Sequence, residues 1–136
     1  MDFIKRRKVI IAVIIMMFFG IGWSRFGADI MLHLYKQKVK SFVDTQEYSK
    51  ETKDILYIAI DHIRYPEDIS DYKKIFMKQA GFEGKVWLVG VDGSDQEVVV
   101  NEDDWHVVIG DTTLHRYYNA IIDKETLEYL GTMPIA

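Results

Sequence analysis

Val86-Trp87-Leu88-Val89-Gly90-Val91-Asp92-Gly93-Ser94-Asp95-Gln96-Glu97-Val98-Val99-Val100 is the stretch on which the fold turns. Val86 to Val91 is short, apolar and β-branched, which suits a strand. Asp92-Gly93 is the standard signal for a two-residue hairpin turn, because both central residues there need positive φ. Val98 to Val100 is then the returning strand. Downstream, Trp105, Val107 and Ile109 alternate with His106, Val108 and Gly110 before Asp111-Thr112 turns the chain. Tyr117 to Ile122 reads as a further strand, and Asp123-Lys124-Glu125-Thr126 as a polar turn into Leu127 to Met133.

Upstream the period changes from two to between three and four. Ser49 is an N-cap with Glu51 in the first turn, and Ile55, Leu56, Ala59, Ile60 and Ile63 make an amphipathic helix. Tyr65-Pro66 ends it, since the residue before Pro avoids the helical region. Pro66, followed by Glu67 and Asp68, reads as the start of another helix whose buried side is Ile69, Tyr72, Phe76 and Ala80, with Gly81 as its C-cap. Helices first and hairpin-linked strands second predict an α+β fold. Its amphipathic helices pack on an antiparallel sheet of four to five strands.

The 136 residues are 49% hydrophobic and 28% charged, a composition that excludes a disordered or fibrous chain. The absence of Cys removes disulfides, thiolate metal sites and thiol nucleophiles together.

Lys5-Arg6-Arg7-Lys8 precedes an uncharged run from Val9 to Trp23. Fifteen helical residues span about 22 Å, short of a hydrocarbon core of about 30 Å, and Phe3-Ile4 with Ser24 to Ala28 supply the remainder. The cations and Trp23 then lie where interfacial anchors belong. A cleaved signal peptide, with Gly20-x-Gly22 at the cut, and a buried helix are the competing readings. The cation bias places the N-terminus in the cytoplasm. The expected organisation is a basic tip and transmembrane helix over residues 1–28, a juxtamembrane helix over 29–48, and a small α+β domain over 49–136. That domain is exposed outside the cytoplasm at the cell membrane.

Residues 24–136 hold 13 Lys+Arg against 20 Asp+Glu, which disfavours nucleic acid. The asymmetry concentrates between Val86 and His115, where seven Asp and Glu occur without one Lys or Arg. Solvated turns account for such a pattern; so does a docking surface for a protein with a cationic face, formed by Asp92, Asp95, Glu102, Asp103, Asp104 and Trp105. Asp92-Gly93-Ser94-Asp95 lacks the spacing of a calcium loop. His33, His62, His106 and His115 show no metal-binding spacing, and no nucleophile, phosphate-loop or dinucleotide motif occurs. No cofactor and no catalytic residue is therefore expected. A membrane-tethered hydrolase requires His106, His115 and Asp123 to converge. Tyr117 and Tyr118, on alternate faces of one strand, cannot both be buried if one face is wet, which leaves one of them for a groove or a partner.

Trp105-His106-Val107-Val108-Ile109-Gly110 and the run from Tyr117-Tyr118-Asn119-Ala120-Ile121-Ile122-Asp123 through Thr126 and Leu130-Gly131 share a cadence of alternating strand residues, an Asp-initiated turn and a strand ending at Gly. Over about 30 of 136 residues this resembles the closing hairpin of small bacterial NTF2-like and PepSY-like domains. One NTF2-like branch comprises toxin-neutralising immunity proteins, and PepSY-like domains are extracytoplasmic inhibitors or modulators. The resemblance implies a binding module without catalytic residues.

Overall fold

The computed structural model describes residues 27–133. The anchor expected from Lys5, Arg6, Arg7, Lys8 and Trp23 lies outside them. Among the described residues, no helix is long and apolar enough to cross a membrane.

A helix, α1, covers residues 27–45, and a compact unit begins within it at Tyr35. From there Val39 and Val43 are fully buried. Tyr35 and Phe42 meet the Tyr72 ring edge-on, at 6.1 and 6.0 Å between centroids. The second helix, α2, is Lys50–Asp61. The Ser49 side chain accepts the Thr52 N–H at 3.2 Å, as the cap position requires. Ile55, Leu56, Ala59 and Ile60 form its buried stripe. Lys40 pairs with the Asp61 carboxylate at 2.5 Å, and the Lys36 ammonium donates to the Asp61 carbonyl at 2.6 Å. Both cations thus sit at the negative end of the α2 dipole.

Beyond α2 the chain departs from expectation. Only Pro66–Asp68 coils, as a single 3-10 turn, and residues 75–79 extend instead of continuing a helix. Asp71 explains the break. Its carboxylate accepts the Lys73 N–H at 2.9 Å, a local bond that competes with helical pairing. Ile75–Gln79 becomes β1, the sixth strand, where four to five were expected. Ladder bonds to a strand more than 25 residues away outweigh the helical spacing of Ile69, Tyr72, Phe76 and Ala80.

The remaining strands are β2 (Gly84–Val89), β3 (Asp95–Val100), β4 (Trp105–Asp111), β5 (Arg116–Ile122) and β6 (Tyr129–Thr132). They form one antiparallel sheet in the order β1-β4-β5-β6-β2-β3. The β2–β3 connection is a three-residue loop, not the two-residue turn the sequence suggests. The Gly90 N–H meets the Ser94 carbonyl at 2.9 Å, the Gly93 N–H returns to the Gly90 carbonyl at 3.0 Å, and Gly93 takes φ +84°. This is a type I turn closed by a left-handed residue.

Strand alternation gives the sheet two buried faces. Val107, Ile109, Ala120 and Ile122 are buried on the face that α1 and α2 cover. Here the Tyr118 hydroxyl donates to the Ala59 carbonyl at 2.7 Å. The opposite face of β5 presents Ile121, which joins Leu88 and Val100 in a second cluster flanked by Ala80, Phe82, Val86, Val98, Leu130 and Met133. The β2–β3 hairpin therefore folds over the face away from the helices. It is joined to β6 by the single pair Val89↔Thr132.

Candidate functional site

The six residues expected to form one acidic surface do not form one. Asp92 and Asp95 lie at the tip of the β2–β3 hairpin, whereas Glu102, Asp103 and Asp104 occupy the β3–β4 turn at the other end of β3. The length of β3, roughly 20 Å, separates the two groups. Asp104 leaves the set altogether because it is 2% exposed. Its carboxylate accepts the Asn101 N–H at 2.8 Å and the Lys124 N–H at 3.1 Å, tying the β3–β4 turn to the β5–β6 turn. Trp105 beside it is half-buried. Asp103 remains exposed, 3.6 Å from the Lys124 ammonium. At the other end, the Ser94 hydroxyl and backbone N–H bond the Asp92 carboxylate at 2.6 and 3.0 Å and hold its pKa below the usual carboxylate range.

The hairpin tip continues into a face that sequence reasoning missed. Trp87 and Val89 lie on one side of β2, and the register sets Trp87 opposite Glu97 and Val89 opposite Asp95. Val99 completes that side. Trp87 is 62% exposed and Val99 60%, while Val86, Leu88, Val98 and Val100 face the second core. Both sides of this hairpin are apolar in sequence, so alternation alone cannot tell the core side from the wet one.

A cleft of about 180 Å³ opens next to Val89. The end of α2 supplies His62, the following segment Arg64, Tyr65 and Asp68, β5 supplies Tyr117, Tyr118 and Asn119, and β6 with its successor Thr132 and Met133. Each wall has a local cause. His62 caps α2, its Nδ1–H donates to the Ile58 carbonyl at 2.7 Å, and its ring stacks on Tyr129 at 3.9 Å. The Tyr129 and Thr132 hydroxyls bond each other. Burial pushes the Tyr118 phenol well above its ordinary pKa, so this hydroxyl stays protonated and serves as a structural donor. Tyr117, on the other side of β5, is likewise half-buried, and both tyrosines line the cleft, where alternation left that role to one of the pair. At the rim the Arg64 guanidinium lies against Gly93, where no Cβ stands in its way.

The histidines do not assemble a hydrolytic site. His106 pairs across from Ile121, near the start of β4, whereas His115 sits in the turn beyond its far end with φ +53°. Five intervening strand positions put them roughly 17 Å apart. The Asp123 carboxylate accepts the Glu125 and Thr126 N–H groups, each at 2.9 Å, so it shapes the β5–β6 turn. The three-residue hydrolase arrangement fails on distance.

His106 has a structural task. Because the Asn119 amide donates to the Met133 carbonyl at 3.1 Å, its Oδ1 accepts from His106 Nε2 at 3.3 Å. Burial lowers the His106 pKa from 6.5, with the Asn119 bond opposing and Lys78 reinforcing the shift. A histidine depressed on folding stabilises the native state above its unfolded pKa, and that contribution is lost as pH falls through the folded value. The His106 contribution to native stability therefore declines as pH falls below about 6.5. His106→Gln, which retains a donor for Asn119 without a titrating ring, flattens this slope in urea titrations at pH 7.5 and 5.5. Equal slopes in the two proteins would exclude His106 as its source.

No family model matches the chain, and neither the curated proteins nor the solved structures contain a match.

Proposed function

We propose that the chain is a single-pass, membrane-anchored binding or modulator domain, displayed outside the cytoplasm, that holds a protein with a cationic surface. The reading rests on one observation, the outer face of the β2–β3 hairpin. Trp87, Val91 and Val99, each at least 60% exposed, stand among Asp92, Asp95 and Glu97. Isolated apolar residues on a surface need no explanation, but an indole and two valines on one hairpin make a dehydratable centre with a charged rim. Exposed indole also attracts guanidinium and ammonium groups through its ring face. The Lys85–Glu97 pair, 3.7 Å apart and open to water, contributes little and leaves Glu97 available. The net negative charge of residues 24–136 steers a basic partner toward the domain. The same class of activity is implied by the PepSY-like cadence of β4 to β6.

One preparation tests anchoring and recognition together. The full chain stays with carbonate-washed membranes and, extracted in detergent, binds a labelled peptide of alternating Arg and Leu in a salt-sensitive manner. Asp95→Asn with Glu97→Gln, and separately Trp87→Ala, each weaken that binding about tenfold. Release of the intact chain by carbonate overturns the anchor, and undiminished affinity in both variants overturns the hairpin face.

A further inference from the structure

We propose that the cleft between the end of α2 and strands β5 and β6 binds a single free α-amino acid with an aromatic or branched apolar side chain. The walls select the side chain. Tyr65, Tyr117, Tyr118, Val89 and Met133 line a cleft of about 180 Å³, and an apolar cavity of about 150 Å³ accepts one benzene ring. A ring with a methylene, or a branched aliphatic group, fits this space.

The rim selects the head group. Arg64 and Asp68 both border the opening and both are exposed. Among the described residues, neither side chain enters a hydrogen bond or an ion pair, and the two are not within ion-pair distance of each other. A cation and an anion held apart at the mouth of an apolar pocket complement a zwitterion. The ligand carboxylate meets the Arg64 fork, the arrangement in which guanidinium recognises carboxylate best, and the ligand ammonium meets Asp68. A simple carboxylate would leave Asp68 facing the ligand without a counter-charge, and a simple amine would do the same to Arg64. A few placed polar groups around an otherwise apolar pocket are the usual anatomy of a small-molecule site.

Arg64 is also positioned by the hairpin loop. A Cβ at residue 93 would collide with its guanidinium, so Gly93 allows the side chain to lie across the loop at the cleft mouth. Asp92, next in the loop, keeps the guanidinium in a negative field without pairing to it within 4.0 Å.

Calorimetric titration of the full chain in detergent decides the matter, with L-phenylalanine, L-leucine, 3-phenylpropionate and phenethylamine as probes. L-phenylalanine and L-leucine bind, and the two singly charged analogues bind about tenfold or more weakly, since each forfeits one charge-assisted contact. Arg64→Gln and Asp68→Asn each reduce L-phenylalanine affinity to a similar degree with an unchanged circular dichroism spectrum, as both residues are exposed. Three results overturn the proposal: no heat from either amino acid at about 10 mM, 3-phenylpropionate binding as tightly as L-phenylalanine, or an Arg64→Gln protein with undiminished affinity.

Discussion

Asp104→Ala lowers the stability of the domain by about 2–4 kcal/mol, a large fraction of the roughly 5–15 kcal/mol that holds a fold of this size together. The substitution removes no apolar contact of consequence. It withdraws the acceptor for two backbone N–H groups, those of Asn101 and Lys124, at a place only 2% exposed. Each N–H left without a partner costs about 1–3 kcal/mol, discounted here because both donors lie on turns that water can partly reach. Asp104→Asn keeps one acceptor oxygen but turns an NH2 toward the other donor, so its loss is intermediate. Asp103→Ala, one residue earlier and exposed, changes stability by less than about 0.5 kcal/mol. Thermal unfolding separates the three, and the Ala variant melts roughly 10 °C or more below the parent. A melting point for Asp104→Ala equal to that of Asp103→Ala would return Asp104 to the surface and remove its role as a clasp between turns.

Gly110→Ala is the second large effect. Gly110 has φ +119°, a conformation that a residue with a Cβ rarely adopts. A Cβ built there would lie 2.6 Å from the Arg116 carbonyl oxygen and 2.8 Å from the Tyr117 Cα, both backbone atoms of the neighbouring strand. Backbone cannot swing aside as a side chain can, so the β4–β5 pair must separate at Gly110↔Tyr117. Strain and overpacking together cost about 2–5 kcal/mol. Gly93→Ala is the informative comparison. Its φ is also positive, at +84°, but its added methyl meets only the flexible end of Arg64, so it costs roughly 1–2 kcal/mol. Equal denaturation midpoints for the two variants would show that β5 yields more easily than its register implies.

Reading the chain from its residues recovers the parts whose causes are local. Ser49 caps α2 because a hydroxyl three residues before an orphan N–H is sufficient. The spacing of Ile55, Leu56, Ala59 and Ile60 survives because one face of α2 is buried. The Asp123 turn forms where an Asx residue precedes two free N–H groups. What escapes has causes distant in sequence. Ile69, Tyr72, Phe76 and Ala80 keep helical spacing, yet Ile75 to Gln79 extends because β4 offers it a ladder. Asp104 looks like its exposed neighbours Glu102 and Asp103, and only the arrival of Lys124 from the β5–β6 turn shows its burial. The cleft is the least legible feature. Arg64 and Asp68 stand more than 20 residues before Val89 and about 50 before Tyr117. Only the crossing of the sheet brings them together.

The strand order carries an implication for how such a chain diversifies. β1 and β4 lie side by side although the whole β2–β3 hairpin comes between them in sequence. The hairpin is thus an insertion into a four-stranded meander, and closing a longer loop in that position adds little entropy cost. Its residues can drift, lengthen or be exchanged while the register beneath the helices stays intact, provided something apolar still shelters Ile121. The helical side of the molecule would change slowly across relatives, and the hairpin side would be where new specificities arise.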